Sequence, residues 1–377
     1  MTQRLVWPVG SRAAHVASVD GLPQRLARRL RSWDGLLAVV VVVVLALNTL
    51  GAPNYLLDQN QVNLWQNGIE KAIVVLAMAF VIINGEIDLS VASVMGLSAV
   101  VVATLWEQGV GMELGIVAAL LLGLGVGIFN GFWVAIVGLP SLVVTLAGLI
   151  GYRGLALMLV EDRSIGNAET AFPTWFEDLG QQPLSETIGL LDGMPLLDRV
   201  PLAMVIYFVL LILAATVLGA AAFGRKTYVI GSSQDVARYS GVAVARHKLA
   251  IMTISAVTAA LAGILLTAHL GAVRGSTAFG WELDIITIVL LGGVSIFGGS
   301  GTMLGVFLAT VLVLNIRNGL GLVNVPGHTQ NGVIGLLLIG SVLLPNLIAT
   351  YQDRARRRAL ARRATRGSRD GPVATEP

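Results

Sequence analysis

The sequence predicts an all-α protein that crosses a membrane about ten times. Three observations carry this prediction: 55% of the 377 residues are hydrophobic, only 12% are charged, and long apolar runs recur along the chain. An ordinary soluble domain has roughly a quarter of its residues charged, and one soluble core could not bury so many apolar runs. The mean hydropathy of +0.79 agrees with an integral membrane protein.

The first five spans follow from apolar runs of about the length that a hydrocarbon core roughly 30 Å thick requires. Residues 36–51 come after a polar segment without a small-residue cleavage site, which favours an uncleaved span over a signal peptide. The runs 69–84 and 90–106 are separated only by a short turn. The runs 111–137 and 139–160 adjoin, and this stretch could be divided differently.

The last five spans lie on either side of a basic loop. Residues 201–223 precede this loop and residues 249–270 follow it. The run 285–297 is short and bounded by glycines, which favours a tilted or broken helix. The runs 302–320 and 331–349 bring the total to ten, with boundaries good to a few residues.

The distribution of charge predicts the orientation, because Lys and Arg collect at cytoplasmic flanks. Of the 25 Lys and Arg, 19 lie in the segments 1–34, 224–248 and 350–377. The loop 161–200 instead holds eight acids and two arginines. Both termini and the loop 224–248 are therefore expected in the cytoplasm and the loop 161–200 outside. We expect the Arg-rich ends to meet anionic membrane lipid rather than nucleic acid.

The motifs of common enzyme classes are missing from the sequence. No GxxxxGK[ST] phosphate loop is present, so we expect no ATP hydrolysis by this chain alone. The four histidines are far apart without an HExxH motif, and no GxSxG elbow occurs. We expect no catalytic residue, no bound metal and no cofactor in the chain. An intramembrane enzyme is the least favoured alternative.

The stretch "INGEIDLSVASV", residues 83–94, places two acids between apolar runs. Asp88 is predicted to be the N-cap of the third span, where it would satisfy N–H groups that lipid cannot. Glu86 has no capping role. Because ionisable groups at membrane depth are costly and usually face a cavity or a partner, both acids are also candidates for lining a pathway or its gate.

Two arginines lie within other apolar runs, and each could pair with an acid, donate to a polar substrate or extend to the interface. Neighbouring amides and hydroxyls suit a path for a hydroxylated solute, and Asn318 belongs to the same group. The candidate path or gate residues are Asn84, Glu86, Asp88, Ser90, Asn130, Thr145, Arg153, Asn315 and Arg317.

The 44 glycines include the stretch "GLGVGIFNG", residues 123–131, whose spacing predicts close contact between helices. Two segments of the chain, one after Gly85 and one after Gly301, each have a glycine turn that leads into an apolar helix. This weak similarity between the two segments could reflect membrane-helix composition alone.

The basic loop 224–248 contains "SQDVARYSG", which predicts one or two turns of amphipathic helix ending at Gly241. Asp235 and Arg238 would be exposed at i, i+3 spacing. A short cytoplasmic helix of this kind suits docking onto a soluble partner, and a passive connector is the alternative.

Four ordered motifs over residues 35–349 resemble the permease subunits of ATP-driven bacterial sugar importers of the ribose type. They are "NGEIDLSVASVMGLSAVV", "GLPSLVVTLAGLIGYRGLALML", "GSSQDVARYSGVAVARHKLAIMTISAVTAALAGIL" and "GWELDIITIVLLGGVSIFGGSGTMLGV". With "GLGLVNVPG" (319–327), the chain looks most similar to rhamnose permeases, followed by autoinducer-2 and ribose permeases. A branched-chain amino-acid permease and an ion-coupled secondary transporter remain alternatives.

The resemblance implies a non-catalytic permease of the bacterial inner membrane. Its partners would be a cytoplasmic ATPase dimer that binds ATP and Mg, an extracytoplasmic sugar-binding protein, and a second permease, identical or a sister subunit. The family's coupling segment stands here at Gln234, Asp235, Ala237, Arg238, Ser240 and Gly241, and it departs from the usual "EEAARLSG". The usual "GGIDLSVG" is altered as well, with Glu86 as an insertion-like departure. The loop 161–200 and residues 271–284 would receive the binding protein.

Overall fold

The computed structural model describes residues 33–161, 163–166, 170–182, 200–340 and 343. Four predicted segments lie wholly or largely outside the described residues: the segment 1–34 except its last two residues, much of the acidic loop 161–200, most of 341–349, and the tail 350–377. In chain order the elements are α1 Trp33–Gly51, α2 Asp58–Gln66, α3 Ile69–Ile83, α4 Val91–Glu107, α5 Met112–Gly131 with a π-helical continuation Phe132–Val137, α6 Ser141–Val160, β1 Ser164–Ile165, α7 Thr174–Gln181, α8 Leu202–Ala220, α9 Ala222–Ser232, α10 Gln234–Tyr239, α11 Val244–Leu270, β2 Val273–Arg274, α12 Trp281–Leu291, α13 Met303–Leu322 and α14, residues 327–340.

The architecture is that of a helical membrane protein, which confirms the predicted fold class. Among the described residues, six helices are long and apolar enough to cross a membrane: α1, α5 with its continuation, α6, α8, α11 and α13. The pair α2 and α3, bent by 47°, makes a seventh if it counts as one span. The runs 90–106 and 285–297 contain shorter helices, and most of 341–349 lies outside the described residues, so the count of ten spans stays a prediction.

Helix α3 forms the centre of the protein. Beyond Glu70 and Lys71 in its first turn, its sequence "IEKAIVVLAMAFVII" is apolar on every face, and all of its residues are buried. A helix that is apolar all round is expected in the interior rather than at a surface. Helix α11 packs against α3, α4, α5 and α7. In the turn after α3, residues 84–90, the polar side chains of Asn84, Glu86, Asp88 and Ser90 are buried.

Helix α12 corrects the prediction for the eighth span. The helix begins at Trp281 and ends at Leu291, whereas the apolar run suggested 285–297. At 1.5 Å per residue it is about 16 Å long, roughly half the thickness of the hydrocarbon core. It ends early because Gly293 adopts φ +81° and begins the glycine loop, residues 292–302.

The glycine loop and the turn 84–90 meet at one end of the protein. The Gly299 N–H donates to the Ile83 carbonyl at 2.8 Å, and the Tyr228 hydroxyl of α9 donates to the Gly301 carbonyl at 2.8 Å. The two glycine-led segments that look alike in sequence therefore lie side by side, and both contact the region just before α10.

At the other end of the protein, two short strands join the loops that were predicted to lie outside. Strand β1 pairs with β2 in antiparallel register, Ser164 with Arg274 and Ile165 with Val273. Helix α7 packs against α11, and the Phe176 side chain is fully buried. The described part of the acidic loop is thus a folded surface element rather than a passive connection.

Candidate functional site

Asp88 lies at the centre of a buried hydrogen-bond network. Its Oδ1 accepts hydrogen bonds from the Ser90 N–H at 2.9 Å and the Ser90 hydroxyl at 2.6 Å, and its Oδ2 accepts one from the Ser255 hydroxyl of α11 at 2.9 Å. The predicted N-cap position was wrong, because α4 begins at Val91 and Ser90 occupies the cap. Asp88 instead connects the turn to α11.

The network continues through α5 to α6. The Asn130 side-chain amide donates to the Ser90 hydroxyl oxygen at 3.1 Å, and the Tyr152 hydroxyl donates to the Asn130 side-chain oxygen at 2.7 Å. Hydroxyl, amide and carboxylate groups from the turn 84–90 and from three helices, α5, α6 and α11, thus meet in an apolar interior. Such groups can exchange hydrogen bonds with a hydroxylated solute. Asp88, Ser90 and Asn130 were candidates from the sequence, whereas Tyr152 and Ser255 were not.

Thr145 fixes the turn against α6. Its hydroxyl is shared between the Ser141 carbonyl at 2.8 Å and the Ile87 carbonyl at 3.2 Å. The Ile87 N–H in turn donates to the Ser141 hydroxyl at 3.2 Å. Thr145 therefore holds the backbone beside Asp88 in place.

Asn84 ends α3 and is fully buried. Neither polar atom of its side-chain amide has a hydrogen-bond partner in the part of the chain that the structure describes. A buried polar group left without a partner costs about 1–3 kcal/mol. Asn84 is thus the predicted path residue whose amide remains available to a solute, a water or a partner in another conformation.

Glu86 faces away from this network. Its carboxylate pairs with the Lys248 ammonium at the start of α11, and both side chains are buried. The pair lines a polar cavity of about 310 Å³ together with Gln234 and Arg238 of α10. The structure therefore separates the two acids of the turn, since Asp88 bonds within the interior network and Glu86 lines a cavity shared with α10. Lys248 is the last basic residue of the predicted loop 224–248, but nothing in the sequence around it indicated that Glu86 is its partner.

The predicted amphipathic helix is confirmed as α10. The Ser233 hydroxyl accepts a hydrogen bond from the Val236 N–H at 3.3 Å, and Gly241, with φ +78°, follows the end of the helix. The Ala237 side chain packs into a small apolar cluster with Ile230 and Val244. The remaining predicted coupling residues, Asp235, Arg238 and Ser240, are exposed, whereas Gln234 is half-buried.

Arg153 is buried and bonds to backbone carbonyls. Its guanidinium donates to Gly275 at 2.9 Å, Thr277 at 2.6 Å and Ala92 at 3.1 Å. It also lies over the ring of Phe279. In this conformation Arg153 joins residues 275–279 to α4, and its three hydrogen bonds go to backbone carbonyls rather than to the Asp88 network.

Arg317 pairs with an acid, which was one of three alternatives that the sequence left open. It donates to both carboxylate oxygens of Asp284 at 2.8 Å, and the Lys71 ammonium approaches the same carboxylate at 2.5 Å. Lys71 and Asp284 were not predicted as a pair, although both are charges inside or next to apolar runs. This cluster joins α3, α12 and α13.

Asn315 and Asn318 connect α13 to the segment before α3. The Tyr55 hydroxyl donates to the Asn315 side-chain oxygen, and the Asn48 amide donates to the Asn315 carbonyl at 2.7 Å. Asn318 and Asn60 exchange side-chain hydrogen bonds at 2.9 and 3.0 Å. Neither asparagine hydrogen-bonds to the Asp88 network, so the structure separates Asn315 and Arg317 of α13 from that network.

Comparison with known protein families identifies the fold. Residues 63–342 match the family model described as branched-chain amino acid transport system / permease component. The chain belongs to this permease family. The match covers the described core from α2 to α14, including the turn 84–90 and α10. No solved structure matches the permease significantly.

Curated relatives of the permease are import proteins for several solutes. It is 31% identical to the xylose transport system permease protein of Haemophilus influenzae, covering 83% of this chain and 95% of the relative. It is 31% identical to an autoinducer 2 import system permease protein of Yersinia enterocolitica, covering 82% and 91%. It is 32% identical to the ribose import permease protein of Bacillus subtilis, covering 86% and 94%.

Family membership establishes the general role of this chain. It is a multi-pass permease of the bacterial inner membrane and a non-catalytic subunit of an ATP-binding-cassette importer of the sugar type. Such an importer has an ATPase and a solute-binding protein as partners. A secondary transporter and an intramembrane enzyme are thereby disfavoured.

Proposed function

We propose that this permease passes a monosaccharide-sized, hydroxylated solute from a binding protein to the cytoplasm, with rhamnose as the first candidate. The observation that carries this proposal is the buried network of Asp88, Ser90, Asn130, Tyr152 and Ser255. Side chains of this kind offer both donors and acceptors to sugar hydroxyls. Only weak contacts are needed inside a permease, because high affinity belongs to the binding protein.

The proposed cycle links this network to ATP hydrolysis in the partner. ATP and Mg bind to the ATPase dimer, which docks on Gln234, Asp235, Ala237, Arg238, Ser240 and Gly241. Movement of α10 would displace Lys248 and therefore Glu86, because these groups line one cavity. Since Glu86 and Asp88 belong to one short turn, this motion would reach the Asp88 network.

The identity of the solute is open among several candidates. The relatives named for xylose, autoinducer 2 and ribose are 31–32% identical to this chain, so similarity alone does not choose among their solutes. The stretch "GWELDIITIVLLGGVSI" followed by "GLGLVNVPG" favours rhamnose by resemblance. The family description keeps a branched-chain amino acid as the second candidate.

We also propose that two permeases, identical or sister subunits, enclose the path, and that the binding protein lands on the loop 161–200 and residues 271–284. The antiparallel pair β1 and β2 and the buried Arg153 join the described parts of these segments to the helical core. A rigid outer surface of this kind would transmit the arrival of the binding protein.

The test is ATPase stimulation in nanodiscs that contain this chain and a sugar-importer ATPase. Binding proteins loaded with rhamnose, xylose, ribose or leucine are added in turn, and hydrolysis and solute release are measured. We expect one sugar-loaded protein to stimulate hydrolysis, and the variants Asp235→Arg and Gly241→Arg to lose that stimulation while still folding.

Two results would contradict the proposal. Stimulation by the leucine-loaded protein alone would assign the permease to amino acids. Solute uptake driven by a proton or sodium gradient without any ATPase would show that the chain works as a secondary transporter, and Glu86 and Asp88 would then be candidates for coupling the ion.

A further inference from the structure

The glycine loop 292–302 presents an exposed apolar tip. Phe297 is 88% exposed and Ile296 is 46% exposed. The tip itself is ordered by local hydrogen bonds: the Ser295 N–H donates to the Ser300 carbonyl at 3.0 Å, and the Gly298 N–H donates to the Ser295 carbonyl at 2.9 Å. A large aromatic side chain held in this way at a surface is a typical feature of an interaction site.

The glycine loop is fixed against the segment that leads into α10. A Cβ on Gly299 would lie 2.9 Å from the Ser232 backbone, and a Cβ on Gly298 would lie 2.9 Å from the Gly231 carbonyl oxygen. A side chain on Gly231 would overlap the Ile83 carbonyl oxygen. Since the three backbones touch without side chains between them, the loop, the end of α3 and the end of α9 are expected to move together.

The surface next to this loop belongs to α10. Tyr239 is 93% exposed and Val236 is 57% exposed, whereas Ala237 anchors the helix from below. The glycine loop contacts Gly231 and Ser232, two residues before α10 begins at Gln234. Exposed apolar and aromatic side chains therefore occur on two neighbouring elements. The abundance of Lys and Arg in residues 224–248 places this surface in the cytoplasm.

We propose that Ile296 and Phe297 form a second docking element for the ATPase, next to α10. The proposal rests on the function proposed above. The ATPase is the occupant because the tip adjoins the docking helix and shares its cytoplasmic face. Aromatic side chains are enriched among the residues that dominate binding energy at protein interfaces. Docking at both elements would also give the ATPase a direct contact with the segment beside Ile83 and the turn 84–90.

The experiment measures the affinity of the permease in nanodiscs for a purified ATPase. The ATPase used is one whose hydrolysis is stimulated by the wild-type chain together with its loaded binding protein. The variants are Phe297→Asp, Tyr239→Asp and, as the control, Leu56→Asp in the connection after α1, whose side chain is 66% exposed and lies outside both proposed docking surfaces. We expect Phe297→Asp to weaken binding about thirtyfold, the effect of losing an aromatic hot spot. Tyr239→Asp should also weaken binding, and Leu56→Asp should not.

The possible outcomes separate this proposal from the proposed function. If Phe297→Asp binds the ATPase with wild-type affinity while Tyr239→Asp binds it more weakly, the second docking element is overturned and the importer function stays in place. Failure of the wild-type chain to bind any sugar-importer ATPase would overturn both. A Phe297→Trp variant checks for other occupants. If brominated lipid quenches the added tryptophan beyond the quenching of the seven native tryptophans in the wild-type chain, the tip belongs to the bilayer. If Phe297→Asp changes the association of permeases, the tip belongs to a second copy.

Discussion

At the scale of single residues, two acids separated by one position face different environments. Asp88 receives hydrogen bonds from hydroxyl and backbone groups, whereas Glu86 forms an ion pair with Lys248. Both acids lie in one short turn that begins beside Gly85, where φ is +82°. Two carboxylates of one turn can therefore contribute to the proposed solute path and to the cavity shared with α10.

The first prediction concerns the Glu86–Lys248 pair, whose side chains are 7% and 11% exposed. Glu86→Lys or Lys248→Glu alone would place two like charges in a buried site. Breaking a buried ion pair typically costs about 3–5 kcal/mol. We expect each single variant to lower thermal stability and binding-protein-stimulated ATPase activity, and the double exchange to recover a large part of both.

The exposed pair Arg163–Glu107 provides the control for this exchange. Its N···O distance is 3.0 Å, but its side chains are 54% and 25% exposed. Surface pairs contribute about 0–1 kcal/mol, so Arg163→Glu should change stability little. If the double exchange at Glu86 and Lys248 is no better than the single variants, direct pairing is not the source of the effect.

At the scale of elements, the contact between α5 and α11 depends on glycines four residues apart. A Cβ on Gly123 would lie 2.5 Å from the Ala260 Cβ, and a Cβ on Gly127 would lie 2.5 Å from the Thr253 Cα. Gly125, on another face, has nothing within 4 Å of its Cβ position. The helix-contact spacing that the sequence suggested is thus confirmed for two of these glycines, and close backbone approach is the physical reason.

The second prediction compares Gly127→Ala with Gly125→Ala. The first variant should be destabilised by about 1–3 kcal/mol, because a methyl group would force the two backbones apart. The second should be neutral or stabilised by up to about 1 kcal/mol through the higher helix propensity of alanine. Denaturant titrations in detergent measure both, and equal effects of the two variants would contradict the packing argument.

At the scale of the whole molecule, the distribution of charge predicts orientation, and the structure supplies surface positions that can test it. The chain contains no cysteine, so any introduced thiol is the only one. The exposed side chains of Tyr239 and Trp175 lie on elements predicted on opposite sides of the membrane. They therefore form a matched pair of reporters.

The third prediction is that Trp175→Cys reacts with a membrane-impermeant maleimide in intact spheroplasts, whereas Tyr239→Cys reacts only after the membrane is opened. The expected pattern follows from the excess of Lys and Arg near α10 and of acids near α7. Gel-shift labelling measures it. The reverse pattern would invert the topology and remove the cytoplasmic docking surface.

The sequence by itself determined the membrane class, the orientation expected from charge, the positions of most helices and the existence of α10. These properties depend on local composition, periodicity and glycine placement, which are readable along one chain. It could not determine that Asp88 bonds to Ser255, that Lys248 pairs with Glu86, or that Lys71 and Arg317 share Asp284. Those contacts join residues 33 to 213 positions apart, and only the packing of helices in three dimensions selects among the many charges and hydroxyls that could have met. The early end of α12 was decided in the same way, because its glycine loop is held in place by contacts with Ile83 and Tyr228.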